Sequence, residues 1–402
     1  MMEERKVPAL RFQGFTDEWE QVKLGNLAIF NPKVNLPDTF EYVDLESVVG
    51  TEMISHRKES KKTAPSRAQR LASKGDLFYQ NVRPYQKNNY LFELQDKNYV
   101  FSTGYTQLRP RIDNRFLLSL VQSDGFVRDV LSTCTGTSYP AVNSNALAEI
   151  EVYYPINANE QKKVGEYFSL LDRLIIRYKH QLYKLQVFKK SMLEKMFPRP
   201  CEKVPEFRFR GFTGDWEEKK LGELVSITSG YMGDSLLSDG KYRLTRIETI
   251  SDGIVDETHI GYTNVKPDSF YLLRKGDILY SNINSLAHIG KIAMYEGDSI
   301  LYHGINLLRL RPTVPLDSHF LMALLNTSQC RRWARLRANQ AVNQASINQV
   351  LLASQSIKIC SLIEQKQIGL FFRRLDIIIT MQQRKLKKLY SLKQAMLSEM
   401  FI

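Results

Sequence analysis

The chain has 402 residues, 43% of them hydrophobic and 25% charged, with a formal net charge of +13, so two or three cored domains and an anionic partner, nucleic acid ahead of membrane lipid, are expected. No run of about 18 apolar residues predicts a membrane span, and MMEERKVPALRF has no apolar stretch to predict a secretory signal. Four cysteines (Cys134, Cys201, Cys330, Cys360) lack CxxC or Cys/His metal spacing and predict free thiols in a reducing cytoplasm.

The first recognisable stretch, VPALRFQGFTDEWEQVKLGNL from Val7 to Leu27, returns as VPEFRFRGFTGDWEEKKLGEL from Val204 to Leu224, with 13 of 21 positions identical. KGDLFYQN (Lys74–Asn81) returns as KGDILYSN (Lys275–Asn282). DLFYQNV, DILYSNI, IEVYYP and SIKIC predict strands, being rich in β-branched and aromatic residues, with Gly-Asp turns entering the first two. RFLLSLVQSDGFVRDVL and SHFLMALLNTSQCRRWARL have helical spacing. Each half closes on a long segment, Glu160 to Phe197 and Glu364 to Phe401, with 16 of 38 positions identical. Between these matches the halves diverge: a shared frame carries two different inserts.

The closing segments predict helices, since they are rich in Leu, Lys, Gln, Glu and Met and hold no internal Pro. Apolar residues recur in steps of four and three through Val164, Phe168, Leu171, Ile175, Leu182, Leu185 and Met192, with a break at Lys189. The second copy runs through Ile368, Phe372, Leu375, Ile379, Leu386, Leu389 and Met396. Such a stripe is a helix-pair seam, and each helix has the other as its obvious partner. An antiparallel pair is expected, with the inserts at opposite ends of a rod; the blander alternative is that each helix caps its own domain. The fold class expected is α+β: two similar α/β domains, 1–155 and 201–359, separated by two long helices, 156–200 and 360–402, that pair as an antiparallel coiled coil with a pseudo-two-fold axis.

With this order of parts, the chain resembles the specificity subunit of type I restriction–modification systems. The resemblance rests on RFxGFTxxWExxKLGxL in both halves, the KGD strand, and the two EQK helices with their FxxLD continuation. It implies two target recognition domains, each reading one half of a split site on double-stranded DNA. It implies too that the helices set the spacing and dock two methyltransferase subunits, with restriction/translocase subunits added. S-adenosylmethionine, ATP and Mg are then expected on the partner subunits, with no cofactor or metal in this chain. The alternative carried forward is a coiled-coil adaptor that binds protein partners and not DNA.

Candidate DNA-binding residues fall in six stretches. SHRKESKKTAPSRAQR offers Lys58, Lys61, Lys62, Arg67 and Arg70 as a mobile basic loop for phosphates. QNVRPYQKNNY offers Gln80, Asn81, Arg83, Tyr85 and Lys87, a mix suited to base edges, since Arg forks onto guanine and Gln or Asn onto adenine. TGTSYP offers Thr137, Ser138 and Tyr139. In the second half the candidates are Tyr231, then Asn282, Asn284, His288 and Lys291, then Asn339, Gln340, Asn343 and Gln344, the last group reading either as a base-reading edge or as a polar helix start. The long helices carry net charges of +6 (Glu160–Pro200) and +5 (Glu364–Ile402), so the inserts are nearly neutral and their cations must be segregated. A catalytic chain is disfavoured: IGKIA lacks P-loop spacing, no methyltransferase motif is present, and six scattered histidines show no metal spacing.

Overall fold

A computed structural model of the protein describes residues 6–96, 98–136, 138–233, 237–251, 253–341 and 344–402, so the candidates Thr137 and Asn343 lie outside the described residues. Contacts divide the chain into two compact units, Met1–Gln181 with Gln382–Ile402, and Leu182–Met381. Both divisions fall inside the long helices, Ala158–Lys195 and Leu362–Glu399. Each unit therefore holds one insert, the first part of the helix that follows it, and the last part of the other helix.

In the first unit a ribbon pairs Glu20–Lys23 with Glu151–Tyr154 antiparallel, closing the insert where it begins and ends. A four-stranded sheet follows in the order Ala28–Phe30, Tyr105–Pro110, Leu77–Gln80, Tyr90–Leu91. Leu77–Gln80 is buried at every position, as a continuous LFYQ run in a covered strand requires. The predicted helix after it is two, Asn114–Gln122 and Asp124–Thr133, because Ser123 ends the first and its side chain accepts from the Phe126 N–H to cap the second.

The second unit repeats the frame. Its ribbon pairs Glu217–Lys220 with Ser356–Ile359. Its central sheet runs Val225–Ser229, Leu307–Pro312, Ile278–Ser281, Ile292–Met294 and continues into two short strands at Ile254–Val255 and Ile250–Ser251. Again two helices stand where one was expected, Ser318–Leu325 and Ser328–Arg337, with Thr327 as the cap between them. The inserts differ in what they add. The first unit has a separate four-stranded sheet, Arg57–Ser60, Thr39–Val43, Tyr99–Ser102, Ala68–Leu71, and the second a strand pair, Tyr242–Leu244 with Gly261–Thr263.

The repeated residues account for the joint between insert and helix. Glu160, buried at the start of the first long helix, accepts from Arg11 Nε at 2.6 Å and Nη2 at 2.7 Å, and from Trp19 Nε1 at 3.3 Å. Glu364 accepts from Arg208 Nε and Nη2, both at 2.8 Å. Next in sequence, Gln161 Oε1 accepts from the Asp113 N–H and its Nε2 donates to the Pro155 carbonyl; Gln365 does the same with Asp317 and Cys360. A Cβ at Gly165 would lie 2.6 Å from Asp113 Oδ1 and from the Phe116 nitrogen, and one at Gly369 would lie 2.2 Å from Asp317 Oδ1. The glycine thus lets the start of the insert's helix touch the long helix. Asp76 and Asp277, buried in the turns before the central strands, hold Arg109 and Arg311 through two oxygens each.

Each unit also packs the two long helices against one another, and in each they run antiparallel. In the first unit Phe168 packs on Phe401, Asp172 pairs with Lys393, and Lys385 lies over the Tyr178 ring, so rising numbers on one helix meet falling numbers on the other. In the second unit Phe372 packs on Phe197 and Asp376 pairs with Lys189. The break in the apolar stripe at Lys189 is therefore one half of a partly exposed ion pair, and Lys393 supplies its more buried counterpart. Val164, Phe168, Leu171, Ile175, Ile368, Phe372, Leu375 and Ile379 are buried; Leu182, Leu185, Met192, Leu386, Leu389 and Met396 are half-buried. Val164, Phe168 and Leu171 share one cluster with Trp19, Phe116 and Phe401, and Ile368 and Phe372 share one with Trp216, Phe320 and Phe197. Each helix both caps its own insert and pairs with the other helix.

The helical glycine gives a prediction of sign. Replacing an exposed helical Gly by Ala stabilises by about 1 kcal/mol, but Gly165→Ala is expected to lower stability by about 1–3 kcal/mol through overpacking. The urea midpoint of the full chain reads the difference, and a higher midpoint contradicts the close-approach account.

Candidate nucleic-acid interface

Lys58, Lys61, Lys62 and Arg67 are exposed, with Lys61, Lys62 and Arg67 on the turn segment that joins two strands. Lys58 lies on strand Arg57–Ser60 and Arg70 on strand Ala68–Leu71, because Phe40, Tyr42, Ala68 and Val100 bury a common face of that sheet. Arg70 is half-buried; burial lowers its pKa from the ordinary value, and its Nε has no partner.

The next two stretches come together. Val82 and Thr135 both bridge antiparallel to Ala141, and the Val142 N–H donates to the Asn81 carbonyl at 3.1 Å. Arg83 has φ +54°, donates its N–H to the Pro140 carbonyl at 2.7 Å, and places its guanidinium 4.3 Å from the Tyr139 ring centroid. Tyr139 is 65% exposed, Tyr85 49%, and Ser138 is also exposed. Gln80 and Asn81 differ from the surface readers expected. Gln80 is buried and donates to Gln86 Oε1 at 2.9 Å, and Asn81 Oδ1 accepts from Thr106 Oγ1 at 2.7 Å, so both amides are committed inside the fold. Lys87 pairs with Asp124.

The second unit builds the same arrangement from different residues. Ile283–Asn284, Gln344–Ser346 and Asn339–Ala341 form a three-stranded antiparallel ribbon. The amide-rich stretch is thus strand and not a helix start, since helix Ser328–Arg337 ends before it with Ala338 as its C-cap. Asn339, Gln340 and Gln344 are exposed, as are His288 and Lys291 on the neighbouring turn. Asn282 is turned inward: its carbonyl accepts from the Ile347 N–H at 2.8 Å and its Nδ2 donates to the Ile347 carbonyl at 3.2 Å. Asn284 Nδ2 donates to Ser281 Oγ at 3.1 Å. Tyr231 stands apart from the ribbon, bridging Gly304 and packing edge-on against Tyr271.

The residue reading missed Arg332 and Arg335, exposed beside Arg337 on helix Ser328–Arg337. Their signal, RRWARLR with no acidic residue in the helix, was legible as a charge run. At the start of that helix the Ser328 N–H and hydroxyl bond the Glu194 carboxylate of the long helix. Among the described residues no group of three or more His, Cys, Asp or Glu is placed to hold a metal ion, and no helix is long and apolar enough to cross a membrane.

The profile of the family described as type I restriction modification DNA specificity domain matches residues 16–185 and again 213–390. The chain belongs to that family. This specificity-family chain is 36% identical over 227 residues to the putative type I restriction enzyme MjaX specificity subunit of Methanocaldococcus jannaschii, a match covering 55% of the chain and 50% of the relative; it therefore spans about half the length of that relative. It is 23% identical over 341 residues to the MjaVIII specificity subunit of the same organism, covering 82% and 74%. Among solved structures it is similar in fold to the type I restriction–modification S subunit from M. genitalium, with a TM-score of 0.69 at 16% identity over 98% and 99% of the two chains. A chain from work on complex assembly and conformational transition of the type I R-M system aligns with a TM-score of 0.51 at 22% identity, over 94% and 96%.

One buried group of this specificity-family chain ties its second insert to pH. His303 accepts the Tyr231 N–H on its carbonyl, and its ring bonds the Leu307 carbonyl through Nε2 at 3.0 Å, leaving Nδ1 without a partner. Burial is the main cause that pushes its pKa down to about 4; Arg309 and Arg311 also lower it, while the Leu307 carbonyl and Asp277 oppose. Between pH 6.5 and 4 the unfolded chain binds a proton that the folded one refuses, so this histidine lowers stability as pH falls through that window, by on the order of 3 kcal/mol in all. His303→Gln is expected to remove that part of the acid sensitivity. Parallel loss of stability in both proteins from pH 7 to 4.5, followed by urea unfolding, contradicts it.

Proposed function

We propose that each unit of this chain reads one half of a two-part, asymmetric site on double-stranded DNA, that the long helices set the gap between the halves, and that two methyltransferase subunits dock on the chain. Restriction/translocase subunits join through them. The observation that carries the reading is the repeat itself: one buried frame, duplicated down to its ion pairs, presents different exposed polar residues in its two copies. A duplex with two short half-sites at fixed spacing is the target such a chain fits.

Docking is supported by apolar side chains left open on the long helices, which water disfavours. Leu170, Tyr183 and Val187 on the first are 50%, 67% and 49% exposed, and Leu370, Ile377 and Met381 on the second are 45%, 51% and 53%. The chain acts in this account as a non-catalytic reader and scaffold in the cytoplasm. The chemistry that S-adenosylmethionine, ATP and Mg supply would belong to the partners; this chain's own residues position the duplex.

The test is DNA binding by the chain assembled with its methyltransferase subunits, across salt concentrations. Log affinity is expected to fall linearly with log salt, with a slope of about −0.9 for each phosphate neutralised. Salt-insensitive partner binding with no retention of DNA contradicts the reading and favours the protein-binding adaptor.

A further inference from the structure

We propose that the paired segments seated against Asn81 in the first unit and Asn282 in the second are the base-reading elements of the two readers, and that the exposed arginines of helix Ser328–Arg337 grip the phosphate backbone beside the second. The inference rests on the DNA-reading role proposed above and names the residues that perform it.

The two seats are the same. The Val142 N–H donates to the Asn81 carbonyl, and the Ile347 N–H to the Asn282 carbonyl. Val82 bridges Ala141 as Ile283 bridges Ser346, both antiparallel. One residue past each seat, Asn143 and Asn348 cap a short helix, with Oδ1 accepting from the Ala146 and Leu351 N–H groups, both at 2.8 Å. The segment is thus held on both sides by duplicated bonds, and its exposed content is free to differ.

It does differ, and in a chemically directed way. In the first unit the group presented is Arg83, half-buried, its guanidinium carbon 4.3 Å from the centroid of the exposed Tyr139 ring and its backbone, at φ +54°, bonded to the Pro140 carbonyl. A guanidinium held by a ring loses little entropy when it forks onto guanine O6 and N7. In the second unit the exposed groups are the amides of Asn339, Gln340 and Gln344, whose fork suits adenine N6 and N7. Arg332, Arg335 and Arg337 precede that ribbon on a helix with no acidic residue. The corresponding helix of the first unit, Asp124–Thr133, carries Asp124, Arg128 and Asp129 and has no such face. The phosphate grip is therefore unequal, while the base-reading seat is duplicated.

The test uses a host strain lacking the chromosomal copy, complemented with the full chain and its own methyltransferase, with methylated sites read by sequencing. Gln344→Ala and Gln340→Ala are each expected to relax preference at a base pair of one half-site by about tenfold, and Arg83→Ala to do so in the other half only. Arg332→Ala and Arg335→Ala are expected to leave the motif unchanged, while each weakens binding to all sequences alike and reduces the salt slope by about one. An unchanged motif in all three seat variants, with methylation intact, overturns this inference and leaves the DNA-reading role standing. Equal loss at every site, with an unchanged urea midpoint, also overturns it, because a base reader alters one half first. Failure of the DNA-reading role itself has a different signature: the unaltered chain then supports no two-part motif.

Discussion

A carboxylate buried at the first turn of each long helix is the constraint on which the rest depends. Glu160 and Glu364 have side chains about 1% exposed, and a charge so placed must be paired or the site is destabilised by several kcal/mol. Arg11 and Arg208 supply that pairing through two bonds each, which ties the opening of each half to the helix at its close. Gln161 and Gln365 then hold the insert's own helix, and Gly165 and Gly369 let it approach. Three residues of one short motif thus fix an insert to its helix by three different means. None of them needs anything from the insert's outer surface.

That separation is what makes two different readers on one frame physically reasonable. In each unit an aromatic cluster ties the insert to both helices: Trp19, Phe116, Phe168 and Phe401 in the first, Trp216, Phe320, Phe372 and Phe197 in the second. The ion pairs Asp172–Lys393 and Asp376–Lys189 add a polar term to the helix contact in each unit. A polar pair within an apolar seam disfavours shifted registers more than it adds stability. The inserts can then vary at the surface while packing beneath them stays constant.

The frame was legible in the sequence because its signals are local or repeated. The stripe of Val164, Phe168, Leu171 and Ile175 and the turns before Asp76 and Asp277 follow from spacing and turn chemistry alone. Two features escaped because they depend on which partner a side chain meets in the fold. Lys189 looked like a flaw in the stripe until Asp376 stood opposite it. Gln80 and Asn81 looked like readers because their residue type suits adenine, yet Gln86 and Thr106 take their amides; no local pattern tells which face of a loop is turned inward. The helical spacing through SDG and NTS predicts continuous helices, whereas Ser123 and Thr327 cap a second helix in each unit. In the opposite direction, the basic stretch has strand at both its ends, Arg57–Ser60 and Ala68–Leu71, with a turn between them, and Phe40 and Val100 pack on Ala68.

The most direct measurement of the central claim is adenine methylation across the host genome, compared with and without this gene. The account predicts a motif of two unlike specified parts with a fixed unspecified gap, methylated in the intact strain and unmethylated in the deletion. A motif that persists after deletion, or one that is continuous with no gap, contradicts the account.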